Sequence, residues 1–153
     1  MPGPFRLDGV NEWLGQGDVF VGMSPEETPG EAQDIGEHAT LVLDHECQVA
    51  KPRSGHVLCT CVFPVAFLNV GDQGHVRANK VRHTMYLAEV PGWTEAFADF
   101  RYIFRARKER LQQLVELGAR AASMSEEGRL ALQEHVYRHF ARRLHEADGE
   151  VGQ

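Results

Sequence analysis

The sequence predicts a small α+β domain: about five strands in a strongly bent antiparallel sheet or SH3-like β-barrel, closed on one side by a C-terminal amphipathic helix. Three observations carry that expectation. Short β-branched and apolar runs, punctuated by Gly and Pro, fill the first two thirds of the chain. Beyond them the period changes, and Leu132, Val136, Phe140 and Leu144 recur at helical spacing. A chain of 153 residues, 42% hydrophobic and 25% charged, has the length and balance of one folded domain.

Each element has its own signal. Residues 1–16 hold prolines and glycines with Trp13 and Leu14 as anchors, and read as an arm that docks on a domain spanning 17–145. Gly17-Asp18 is a turn, after which Val19-Phe20-Val21 starts a strand. Ser24–Glu37 is acidic and rich in Pro and Gly, and reads as a long exposed loop. Thr40-Leu41-Val42-Leu43 is a buried strand, Lys51–Gly55 a loop, and Val57–Val62 a third strand whose ladder Pro64 should end. Asn69–Gln73 reads as a polar turn. Val81–Ala88 alternates like a strand with one buried face, Pro91-Gly92 turns the chain, and Phe100–Phe104 alternates again. Lys108–Leu117 is a short helix stopped by Gly118. Ser125 is an N-cap, with Glu126 and Glu127 facing the helix dipole. Residues 146–153 read as a disordered tail.

Charge and cysteine usage bound the function. The net charge of −6 argues against a general nucleic-acid coat, but the charge is uneven: residues 1–100 carry 14 acidic and 6 basic side chains, and residues 101–153 carry 8 and 10. Arg101, Arg105, Arg107, Lys108 and Arg110 are the densest basic run and the candidate binding surface, with a solvated helix start as the plain alternative. Apolar stretches such as Val57–Leu68 are too short and interrupted to span a bilayer, so no membrane partner is expected. Met1–Arg6 lacks the basic start and apolar run of a signal peptide, and three cysteines at 47, 59 and 61 do not make an even disulfide framework. A cytoplasmic location is the expectation.

The densest chemical constellation is His45, Cys47, His56, Cys59 and Cys61. His45, Cys47, Cys59 and Cys61 supply enough soft ligands for zinc, although the spacing is not that of a zinc knuckle, and cysteines in apolar strands are commonly packing residues. No cofactor is the base expectation, with zinc the alternative. Cys47 beside His45 and Glu46 is a candidate nucleophile–base pair. Asp99 and Arg101, two apart on a strand, suit an internal ion pair better than a site, and Trp93 suits packing better than a stacking platform.

Gly17-Asp18-Val19-Phe20-Val21, then Gly30-Glu31 in a loop, then Ala39–Leu43 resembles the opening of the MazF/PemK-like toxins over roughly the first third of the chain. That resemblance implies an SH3-like barrel and RNA cleavage. Where those toxins carry Arg-Pro before the second strand, with an arginine that contributes to cleavage, this chain has Glu37-His38; Arg53 is the substitute, with His56 or His45 as acid–base groups. Over its whole length the chain is similar to a set of uncharacterised bacterial and phage proteins, through the Gly-Asp-Val strand, Asp44-His45-Glu46-Cys47-Gln48 and Asp99-Phe100-Arg101. The resulting expectation is a phage- or mobile-element-type accessory protein that binds a macromolecular partner without catalysis. A protein partner leads, RNA or DNA follows, and a homodimer is open. An endoribonuclease is the first alternative and a small zinc protein the second.

Overall fold

A computed structural model describes residues 4–6, 13–23, 27–45, 49 and 55–151, with the backbone alone for 143–151. The β-rich part supplies six strands: β1 (Val19–Val21), β2 (Ala39–Val42), β3 (His56–Pro64), β4 (Thr84–Glu89), β5 (Glu95–Arg107) and β6 (Arg120–Ala122). They form one antiparallel sheet in the order β4-β5-β3-β2-β1-β6, curled into a half-barrel with β4 and β6 at its two edges. The helices are α1 (Gly30–Ile35), α2 (Val70–Arg77), α3 (Lys108–Glu116) and α4 (Glu126–Val151). None of them is long and apolar enough to cross a membrane.

The apolar runs of β2 and β3 are nearly continuous because both faces of the sheet are covered. On one face Val19, Leu41, Val62, Leu87 and Phe100 pack with Leu132 of α4 and with Phe5 of the N-terminal arm. On the other, Phe20, Val42, Val57, Cys59 and Ala106 pack under Leu111 of α3, while Cys61, Phe63 and Phe97 pack with Ala32 of α1 and Val76 of α2. Each alternation step thus lands in a core.

The largest break in register lies in β5. Thr60 opposes Ile103 and the next residue, Cys61, opposes Asp99, so Phe100, Arg101 and Tyr102 have no partner on β3. An insertion of this kind twists the strand and re-aims its side chains. Thr60 secures it by donating from Oγ1 to the Asp99 carbonyl at 2.6 Å.

Several expectations are corrected. The expected loop 24–37 contains α1, which begins after Pro29 in an extended conformation and stops at Gly36, with φ of 135°. Asn69–Gln73 is the start of α2: the Asn69 side chain accepts from the Asp72 amide at 2.9 Å, a regular N-cap. β4 starts at Thr84, because His83 sits at φ 58° and ends the extended run before it. The expected fifth strand grows to Glu95–Arg107, and β6 is a strand absent from the sequence reading, held on β1 through Val19 opposite Ala122. α4 runs on through Val151. Phe140 is not inward: it is 39% exposed, while Leu132 is fully buried and His139 is 8% exposed. A four-residue step overshoots one helical turn by about 40°, so Phe140 lies about 80° from Leu132, whereas His139 lies within about 20° of it.

The N-terminal arm is part of the fold where it is described. Phe5 bridges to Met124, and the Pro4 carbonyl accepts from the Ser125 amide at 2.9 Å. Gly128 in α4 permits this approach, since a Cβ there would meet the Pro4 oxygen. Ser125 caps α4 as expected, accepting from the Gly128 amide at 3.1 Å.

Candidate functional site

The basic run 101–110 does not act as one patch. Arg101 forms a two-pronged pair with Asp99, Nε to Oδ1 at 3.1 Å and Nη2 to Oδ2 at 2.7 Å, and the Asp99 carboxylate is buried. Arg110 pairs with Glu27 at 3.0 Å, so the acidic 24–37 segment and the basic run meet each other. Arg107 approaches Glu109 at only 3.9 Å, with both side chains well exposed, a geometry that contributes little. The open members are Arg105 and Arg107. They oppose Leu58 and His56, and opposite residues in an antiparallel pair point the same way, so Arg105, Arg107 and the exposed His56 share one face of the β3–β5 ribbon. Lys108 starts α3 next to this ribbon and is half-buried. Beside it a groove of about 370 Å³ is lined by Arg107, Glu109, Arg110, Gln112, Gln113 and Glu116.

The described members of the cysteine–histidine constellation lie in different surroundings. Cys59 sits under α3 and Cys61 in the separate cluster with Phe63 and Val76. Burial, with the Asp44 carboxylate adding to it, pushes the Cys59 thiol well above its ordinary range; burial, with Asp99 adding to it, pushes Cys61 up to about 12. Both are neutral thiols in apolar surroundings, unsuited to act as nucleophiles at neutral pH. His45 is exposed, and Cys47 and Arg53 lie outside the described residues. Among the described residues no group of three or more His, Cys, Asp or Glu side chains is placed to hold a metal ion. Glu37 accepts from the Trp93 indole at 3.3 Å and His38 bonds the Gly36 carbonyl at 2.9 Å, so both residues have structural contacts. Trp93 packs against the core.

Sequence reasoning missed a second site. Where β5 bulges, the loop before β4 and the middle of α4 converge on a cleft of about 50 Å³ lined by His83, Thr84, Asn79, His135, Arg138, His139 and Arg142, with Val81 and Phe100 as its apolar walls. The His83 and His139 rings meet edge to face at 6.4 Å, and His139 also packs on Phe100 at 5.8 Å. Asn79 and His83 both have positive φ, 55° and 58°, and Phe100 donates its amide to the His83 carbonyl at 2.8 Å. Burial, then the Arg101 guanidinium, hold His83 below the ordinary imidazole range; Asp99 opposes this, and Arg82 and Arg142 add to it. Burial and then Arg138 do the same to His135, against Glu134. A signal existed: His135, Arg138, His139 and Arg142 fall at i, i+3, i+4 and i+7, one face of a helix, but that face is polar and is masked by the apolar stripe beside it. His83 is added only by tertiary structure.

No protein-family model matches this chain, and no curated protein matches it.

Proposed function

We propose that this chain is an accessory protein that binds a macromolecular partner and carries out no chemistry of its own, and that the partner is a protein. One observation supports this most: Arg107, exposed on the same ribbon face as Arg105 and His56, also lines the groove along α3, which mixes Arg107 and Arg110 with Glu109, Glu116 and two glutamines. Interspersed acid, base and amide groups suit a polar protein surface, whereas Glu109 and Glu116 would repel a nucleic-acid backbone. Buried free thiols at Cys59 and Cys61 suit a reducing compartment, so the cytoplasm is the proposed location.

Tagged chain is cross-linked in cells and recovered beside the double variant Arg105→Glu/Arg107→Glu. The wild type should retain a protein that survives nuclease treatment and is lost from the variant. Equal recovery by both, or a partner removed by nuclease, overturns the assignment. The non-catalytic part is checked separately: a long mixed-sequence RNA incubated with purified chain at neutral pH without added metal should stay intact. Discrete fragments would favour the endoribonuclease alternative.

A further inference from the structure

We propose that the cleft between α4 and the bulged end of the β4–β5 pair is a binding site for the phosphate group of a ligand. The lining is the first ground. Arg138 and Arg142 supply guanidinium donors, His83 and His135 imidazoles, and Asn79 and Thr84 neutral polar groups, while no carboxylate lines the cleft among the described residues. Asp99 is engaged by Arg101, and Glu134 reaches Arg138 along the outside of the helix. Two guanidinium groups with no carboxylate among the described lining residues favour an anion, and their planar donor geometry suits phosphate.

Size is the second ground. A cavity of about 50 Å³ exceeds the ~10–15 Å³ that one water needs and falls far short of the ~300–1,000 Å³ of a pocket that encloses a whole small molecule. It suits one tetrahedral anion, with the rest of the ligand outside. Backbone geometry is the third. Asn79 and His83, both non-glycine, hold left-handed conformations at the two ends of the loop that forms one wall, and such conformations gather where a site is held in shape.

The arrangement also predicts coupling to pH. His83 faces Arg101 and Asp99 from β5, Arg82 from its own loop, and His139 and Arg142 from α4; His135 faces Arg138 and Glu134 on its own helix. Burial first, and then the neighbouring cations, disfavour protonation of both imidazoles. A seated phosphate reverses that balance and favours their protonation, so affinity rises as pH falls through the imidazole range.

The test uses the full chain and NMR of the histidine ring protons, titrated with inorganic phosphate, a nucleoside 5′-monophosphate, and one oligonucleotide with or without a 5′-phosphate, against chloride of equal ionic strength. Phosphate should move the His83 and His135 resonances and raise their titration midpoints. Arg142→Gln, at an exposed position, should keep the fold and weaken phosphate binding about tenfold. Tighter binding of the monophosphate and the 5′-phosphorylated oligonucleotide assigns the site to a terminal phosphate; equal binding of the unphosphorylated oligonucleotide assigns it to a phosphodiester. Unmoved resonances with every phosphate, an equal response to chloride, or a response to zinc alone overturns the proposal.

Discussion

Asp18 is 1% exposed and its partner Arg120 7%. The carboxylate accepts from Arg120 at 2.9 Å, from the Ser123 hydroxyl at 2.7 Å and from the Gly15 amide at 2.8 Å, and Arg120 also donates to the Trp13 carbonyl. A buried ion pair is tolerated when its remaining donors and acceptors are filled in this way, and removing one member leaves the other charge uncompensated. Asp18→Ala should therefore cost about 3–5 kcal/mol in denaturant unfolding; a loss under about 1 kcal/mol would mean that water reaches the pair. The sequence marks Asp18 only as a turn residue, because its partner lies more than a hundred positions away on a strand that shows no signal of its own. Cys59 and Cys61 are the reverse case: an apolar strand composition already indicates packing. Their raised pKa values and burial predict slow alkylation in the native protein and fast alkylation after unfolding. Rapid labelling of either in native conditions would contradict the packing.

At the scale of elements, α4 carries two stripes. Leu132, Val136 and His139 face the sheet, and Leu130 and Tyr137 face solvent. Leu132→Ala should destabilise by about 2–5 kcal/mol, as for other buried leucines, and Phe140→Ala by about 1 kcal/mol or less. Denaturant unfolding of the two variants side by side checks this; equal losses would place Phe140 in the core after all. The helix and its cap are legible because Ser125, the two glutamates and the apolar period are local. Its inward line is not, since a four-residue repeat and a 3.6-residue period diverge over three turns and only packing on a particular sheet selects between them. α2 was legible in principle through Asn69 and Asp72, but Gly71 and Gly74 lower its helix propensity and make the segment look like a turn.

For the whole molecule, the position of α4 across the sheet links stability to acid. His83 and His135 lie between the helix and the β4–β5 end with folded-state pKa values lowered below 6.5. A group depressed on folding contributes stability above its unfolded pKa and loses it as pH falls through the folded value, so stability should begin to fall below about pH 6.5. Glu95, held at about 2 chiefly by its hydrogen bonds from Arg77 and then Tyr86, adds a second loss between its ordinary 4.5 and about 2. Thermal melts across pH check both windows: His135→Gln should flatten the first and leave the second. The class of fold, the strand cores, the capped C-terminal helix and the uneven charge were set by the sequence itself, since each depends on residues within a few positions of one another. The bulge at Phe100–Tyr102, the docking of the arm over Gly128, the pairing of Glu27 with Arg110 that divides the basic run, and the meeting of His83 with His135 and His139 were decided only by tertiary structure. Each joins segments far apart in the chain, and a linear pattern holds no record of which distant partner a polar side chain will meet.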